Sequence, residues 1–325
     1  MFQVLLPTHE SHILPTVMML AKALENKGVP LVKSPLRWRP ARAVAKVLGG
    51  LSIRHLQGNH RHVPVFCQLN HAWKNAFYPY VLQHPLVTFT FDCWPFVYDE
   101  WQEVFQLNRP QVAFISARKS VAEMQRRVPG IDFRWLPEAG DPAAFNHSMP
   151  LSHRPIDILE VGRSYPAYHN AICGPLASAQ NTHQFPPPDK PIALTYTQAV
   201  KAIAEAKVVV CFPKSVTDPA RAGGVETTTF RYFECIFSKS LMIGHCPEEL
   251  ISILGYNPVV EADMNNPAAQ LLTEILPNIG KFQSFVDANY QNLIQKWTVH
   301  HQAETILSAL RECAEENGKA KLAAA

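Results

Sequence analysis

A short apolar run, Phe2–Leu6, is followed by Pro7, as expected of a buried strand. Apolar positions then recur at helical spacing from Pro15 to Asn26, with Gly28 placed to end the helix, and Val29–Val32 resumes as a strand. This is β-α-β, the unit of a parallel sheet. Further strands are predicted at Val63–Leu69, Leu86–Phe91, Val112–Ser116 and Phe133–Leu136, with helices over Val97–Gln106 and Lys119–Val128. Around His147–Arg154 the pattern breaks into polar residues and Pro150, and it then restarts. Strands follow at Ile156–Val161, Ile192–Leu194, Val208–Phe212 and Leu241–Ile243, with a short edge strand at Val259–Val260. Helices are predicted over Tyr196–Ala206, Thr227–Phe237 and Glu248–Leu254, and one long segment over Gln283–Glu315. The expected architecture is α/β: two Rossmann-like, doubly wound domains over residues 1–150 and 151–302 around a central cleft. A C-terminal helix at about 303–320 packs back on the first domain.

Composition narrows the class. The 325 residues are 47% hydrophobic, enough to bury a large core, and the net charge of +3 gives no reason to expect nucleic acid as a partner. No apolar run is long enough to cross a membrane, and the amino terminus lacks the pattern of a signal peptide, so a cytoplasmic location is expected. The seven cysteines show no CxxC pair and several lie in apolar runs, which predicts free, mostly buried thiols in a reducing compartment. From Asn26 to Phe91 there is no Asp or Glu, while Lys27, Lys33, Arg37, Arg39, Arg42, Lys46, Arg54, Arg61 and Lys74 fall within it. Such a stretch, 27–74, attracts anions, including the anionic lipid headgroups of a membrane's inner face, to which the protein would then be peripheral.

The segment Arg221–Glu234 (RAGGVETTTFRYFE) is the most informative chemically. It follows the buried strand VVVCF and a loop carrying Lys214. Gly223 and Gly224 permit close backbone approach and positive φ. A helix is expected to start near Thr227, with Thr227, Thr228 and Thr229 supplying hydroxyls to its first turn, and its exposed amides suit a diphosphate. Glu226 and Glu234 stand eight positions apart, about 12 Å of rise and within ~80° of one face if both are helical. Carboxylates so placed accept hydroxyl protons from a sugar and from a ribose diol. An amphipathic helix with a capping Glu would show the same residues. In the first half, His9, Glu10 and His12 follow the first strand, Asn70-His71 follows VPVFCQL, and Asp92 follows VTFTF. Strand ends are where ligands of parallel sheets bind. There is no GxxxxGK(S/T), GxGxxG, GxSxG or HExxH, and His60-x-His62 and His300-His301 lack further ligands at suitable spacing, so no metal site is expected.

Glu226 to Glu234 resembles the Glu-x7-Glu signature of retaining GT-B glycosyltransferases (glycosyl transferases group 1 type), and FECIFSKSLMIGHCPEEL resembles the stretch that follows it there. Thr229, Arg231, Phe233 and Glu234 match the T-x-R-x-FE of the spore-maturation (CgeB-like) branch. VGRSYPAYHNA resembles that family's first nucleotide-domain strand ending Gly-Arg, LPEAGDPAAFNH its linker through Gly140, Asp141 and Phe145, and WTVHHQAETIL its late helix. Tyr165 and His169 stand where the family carries a lysine, the double glycine precedes Glu226 rather than following it, and Lys239-Ser240 replaces an Ala-Gly turn. The resemblance implies a GT-B glycosyltransferase using a nucleotide diphosphate sugar as donor, with no cofactor or metal. Glu226 would hold donor-sugar hydroxyls as a catalytic group, Glu234 the ribose, and Arg163 the diphosphate. Tyr165, Thr195, Tyr196, Lys214, Gly223, Gly224 and the three threonines would complete the donor site. In the acceptor half, Asp92 and His9 are the catalytic candidates and His12 and His71 the acceptor contacts. A sugar-nucleotide epimerase of the same fold and a catalytically silent nucleotide-sugar-binding module are the alternatives.

Overall fold

The structure, a computed structural model, describes residues 2–6, 15–33, 63–69, 84–162, 164–187 and 194–323. It divides into two compact units, Met1–Glu138 with Val299–Ala325, and Ala139–Thr298. The stretch 139–150, placed with the first half from the sequence, therefore belongs to the second unit, and the last helix belongs to the first.

The first unit carries six parallel strands: β1 (Gln3–Leu6), β2 (Leu31–Lys33), β3 (Val65–Leu69), β4 (Leu86–Thr90), β5 (Val112–Ile115) and β6 (Asp132–Trp135), ordered β2-β1-β3-β4-β5-β6. β3, β4 and β5 are buried along their whole length, as strands covered on both faces must be, which is why they read as apolar runs rather than alternations. Among the described residues, helices α1 (Pro15–Glu25), α2 (Tyr98–Asn108) and α3 (Arg118–Arg127) are crossovers. The chain's last helix packs along α1 and is tied there by Lys27 to Glu304. Arg134 on β6 holds Glu312 of the same helix at 2.7 Å.

The second unit repeats the plan with β7 (Ile156–Leu159), β8 (His183–Gln184), β9 (Ala206–Cys211), β10 (Leu241–Gly244) and β11 (Val260–Glu261), ordered β11-β10-β9-β7-β8 and parallel throughout. Its helices are α4 (Pro166–Ser178), α5 (Tyr196–Glu205), α6 (Phe230–Phe237), α7 (Glu248–Leu254) and α8 (Gln283–Lys296); the last helix of the chain is α9 (Val299–Ala323). Neither α4 nor β8 is predicted from the sequence: Gly174 and Pro175 interrupt the helical pattern, and β8 is two residues long. The single helix expected over Gln283–Glu315 is broken at Trp297-Thr298 into α8 and α9. The strand expected at Ile192–Leu194 lies at the edge of a stretch outside the described residues.

A buried arginine and a half-buried aspartate brace this unit. Arg154 donates to the carbonyls of Met149 (3.1 Å), Ala206 (2.9 Å) and Ser238 (2.7 Å) and to the Ser240 hydroxyl (2.8 Å), and burial pushes its pKa down to about 10. Asp157 accepts from Lys207 Nζ (2.6 Å), the Thr182 amide (2.9 Å) and Asn181 Nδ2 (3.2 Å). Burial alone would raise the Asp157 pKa; the Lys207 ammonium and the amides outweigh it and hold it below its ordinary value. An acid held low stabilises the fold fully above its unfolded pKa, about 3.9, and loses that contribution as pH falls through the folded one. Asp157→Asn should therefore lower Tm at pH 7, with the gap to wild type closing as the pH drops below about 4; a gap unchanged across that range would contradict the assignment.

Candidate functional site

The first sheet has the order 2-1-3-4-5-6 and the second 2-1-3-4-5, with switch points between β1 and β3 and between β7 and β9. Ligands of such sheets bind beyond the carboxyl ends of the strands at that point. In the first unit the corresponding loops hold His9, His12 and His71, which lie outside the described residues, as does most of the basic stretch 27–74. Asp92, at the end of β4, is described. It adopts a left-handed conformation (φ 54°), its carboxylate accepts from Trp94 Nε1 at 3.0 Å, and its carbonyl accepts from Trp101 Nε1 at 3.2 Å. Two indoles thus fix an exposed carboxylate in a backbone geometry that few non-glycine residues adopt.

In the second unit the loops after β7, β9 and β10 gather two acidic groups around the start of α6. The first centres on Glu226. The helix expected from Thr227 begins only at Phe230, so Glu226 lies in an extended segment and its spacing to Glu234 is not the helical one. The reason is visible in the threonines. Thr227 donates its hydroxyl to Glu249 Oε2 (2.9 Å), the Thr228 amide donates to the same oxygen (2.9 Å), and both residues are buried. A carboxylate from α7 thus ties both threonines down ahead of the helix. Only Thr229 stands at the cap position, with no side-chain cap bond. Glu226 Oε1 lies 2.9 Å from His245 Nε2, directly beyond β10, and Glu226 Oε2 accepts from the Glu248 amide at 3.0 Å. Ser215, in the helical turn Lys214–Thr217 after β9, reaches Glu226 Oε1 at 3.4 Å. His245 Nδ1 in turn lies 3.4 Å from Glu261. Gly223 and Gly224, both at positive φ, turn the chain into this segment.

The second group centres on Glu234, on the buried face of α6. Its Oε2 lies 2.7 Å from Arg231 Nη1, and its side chain is 4% exposed. Burial pushes the Glu234 carboxyl up, and Arg231 opposes that shift. Arg231 reaches the loop after β7: a side chain added at Gly162 (φ 80°) would lie 4.0 Å from its guanidinium. Tyr196, at the start of α5, places a buried hydroxyl with no hydrogen-bond partner among the described residues, and Glu234 and Arg231 both act on its ionisation. Burial is the main reason its pKa is raised, and Glu234 adds to it. Thr195 caps α5, its hydroxyl accepting from the Gln198 amide at 3.3 Å. Tyr165 packs on Phe212 at the end of β9, ring centroids 5.0 Å apart. Lys214 is buried beside β9's end. Arg163 lies outside the described residues.

Three of these residues carry no assigned role in the sequence reading. Arg231 is legible only as a motif position, whereas the fold sets its cation against Gly162, in the loop after β7. His245 and Glu249 reach Glu226 and Thr227 from separate elements, and no local pattern marks them. The linker residues act within the unit. The Asp141 carboxylate accepts from the Ala143 amide (3.0 Å), and Phe145 packs against Phe237 and Phe230, centroids 5.5 and 6.3 Å away, at the two ends of α6.

No family model matches the sequence, and no curated protein is significantly similar to it. Solved structures do share its fold. AviGT4, a glycosyltransferase involved in avilamycin A biosynthesis, superposes with a TM-score of 0.56 at 13% identity over 97% of this chain and 98% of its own. HepE of Anabaena, solved in complex with UDP and glucose, gives 0.55 at 9% identity over 96% and 99%. The α,α-trehalose 6-phosphate synthase of Burkholderia multivorans gives 0.55 at 12% identity over 86% and 76%. The fold is GT-B: two parallel-sheet α/β units with a helical C-terminal segment. Among the described residues, no helix is long and apolar enough to cross a membrane. The seven cysteines are free thiols, six of them buried.

Proposed function

We propose that the chain is a glycosyltransferase that moves a sugar from a nucleoside diphosphate sugar to a hydroxyl acceptor, with retention at the anomeric carbon. The observation that carries the reading is Glu226. Its carboxylate is fixed by His245 and the Glu248 amide beyond the ends of β9 and β10, ahead of the first turn of α6. A prefixed carboxylate there accepts sugar hydroxyl protons without reorganising, while the amides and dipole of the α6 start favour the diphosphate. Arg231 at the Gly162 loop supplies positive charge for the leaving diphosphate, a task suited to its planar fork. Glu234 serves mainly to hold Arg231 there: it is buried and paired, so a ribose reaches it only if that pair opens. Tyr196, whose buried hydroxyl has no hydrogen-bond partner among the described residues, would meet the base or ribose. The proteins of like fold support the reading, since one was solved with UDP and glucose. Asp92 and the His9, His12 and His71 loops would serve the acceptor, and the basic stretch 27–74 would draw a phosphorylated or membrane-held one.

A panel of nucleoside diphosphates and their sugars tests this by thermal shift. A true donor at a hundred times its Kd adds about 2.7 kcal/mol, several degrees of Tm. Slow release of the nucleoside diphosphate from that donor should accompany it. A panel in which no nucleotide raises Tm would overturn the reading; conversion of the donor sugar to its epimer without an acceptor would replace transfer with epimerisation.

A further inference from the structure

One cluster of side chains in the second unit has no part in the donor site. Glu160, immediately after β7, turns its carboxylate into the interior, with its side chain 3% exposed. His169, in the first half of α4, brings Nδ1 to 2.7 Å from Glu160 Oε1. His183, on the edge strand β8, brings Nε2 to 2.9 Å from the same oxygen. The three ligand atoms all lie within 4.8 Å of one another. Backbone pairing fixes the convergence: β8 is in register with β7 at Ile158↔His183, and the Glu160 amide donates to the Gln184 carbonyl at 2.8 Å. Phe185 covers both imidazoles, with centroids 4.7 Å from His169 and 4.8 Å from His183.

A hydrogen-bonded network alone explains this arrangement poorly. Both imidazole nitrogens crowd one carboxylate oxygen, while the other, Oε2, is buried with no hydrogen-bond partner among the described residues. A half-satisfied buried carboxylate is costly, and a cation on the open side of both imidazoles and the carboxylate removes that cost. Two neutral imidazoles and one carboxylate are a borderline-soft N2O set that suits zinc, which takes three protein ligands and leaves a fourth position to water. His169, 21% exposed beside nearly closed Glu160 and His183, marks the side open to that water.

We propose that Glu160, His169 and His183 bind a zinc ion that braces the end of β7 to α4 and to the edge strand β8. The ion replaces the protons that now bridge the imidazoles and the carboxylate. Each proton leaves to solvent from an imidazolium or shifts to the ring's other nitrogen. Zinc–ligand bonds of about 2.0–2.2 Å place tetrahedral ligands about 3.3–3.5 Å apart, so the present 2.7 and 2.9 Å contacts open by roughly half an ångström.

Tag-free full-length protein, stripped with a chelator and reloaded with zinc, should retain one ion per chain by mass spectrometry after gel filtration. Cobalt(II) in its place should give the intense visible bands of a tetrahedral N/O site. Zinc should raise Tm by several degrees, and Glu160→Gln and His169→Ala should each weaken binding by about 100-fold or more, measured against a competing chelator. His169 is the partly exposed ligand, so its variant should keep the chelator-treated Tm of wild type and remain informative if Glu160→Gln misfolds. Substoichiometric zinc, absent cobalt bands, or equal affinity in wild type and the His169 variant would each overturn the proposal and leave a metal-free hydrogen-bonded cluster.

Discussion

Glu226→Gln is expected to lower kcat/KM for donor turnover by about 100-fold while leaving the affinity for the free nucleoside diphosphate nearly unchanged. The substitution keeps the shape of the side chain but removes the charge and turns one acceptor oxygen into a donor. A hydrogen bond to a charged group contributes roughly 1.5–3 kcal/mol, which is about 10- to 150-fold in rate when it is made to the reacting sugar. In the proposed site the nucleotide would rest on the loop after β7, α5 and the start of α6, so its thermal shift should survive. Because Glu226 also holds His245 Nε2 and the Glu248 amide, the variant's own Tm must be measured beside its activity. Turnover within a few-fold of wild type, in a folded variant, would remove Glu226 from the chemistry and with it the main support for transfer.

Gly244→Ala is expected to be the most damaging single-methyl change in the second unit. Gly244 ends β10 at φ 147°, paired with Cys211 of β9, and a Cβ built there would stand 1.9 Å from the Cys211 carbonyl oxygen. No side chain can yield, because the obstacle is backbone. To fit, β10 must part from β9 at the point where the His245 amide takes the Cys211 carbonyl at 3.0 Å, which also strains the bond on its other side from the Ala262 amide to the Gly244 carbonyl (2.9 Å). Overpacking against rigid backbone together with lost ladder bonds amounts to about 3–5 kcal/mol, roughly 10 °C or more in Tm for a unit of this size. The same shift would displace His245, so nucleotide-sugar turnover should fall with stability. Circular dichroism melts of the two proteins decide it; a Tm within about 2 °C of wild type would show that β10 relaxes freely and that this glycine is not required.

The central strands were legible because each is buried on both faces and so appears as an unbroken apolar run. Val208–Phe212 and Leu86–Phe91 are predicted within two residues of β9 and β4. Helices with an apolar stripe and a clear stop, such as α1 before Gly28 and α5 behind the Thr195 cap, were legible for the same local reasons. What failed locally was decided at a distance. α4 carries Tyr168, Ile172 and Leu176 at helical spacing, but Gly174 and Pro175 break the local signal, and burial of those three side chains in the core of the unit holds the helix. Thr227 and Thr228 read as the first turn of a helix, yet Glu249, twenty-odd residues later, bonds their donors and delays the helix to Phe230. Arg154 reads as a polar residue in a linker, and the fold buries it as a four-bond staple.

The sequence by itself determined an α/β fold of successive strand-helix units, most of its elements in order, and Glu226 and Glu234 as residues worth attention. Those features follow from periodicity, propensity and short-range spacing, which travel with the chain. Only the tertiary structure decided what those acids touch: Glu226 meets His245 and the Glu248 amide, Glu234 is closed against Arg231, and Glu160 meets two histidines from other elements. Strand order and register bring these partners together across gaps of many residues, and hydrogen-bond and charge energies act over a few ångströms of space regardless of distance along the chain.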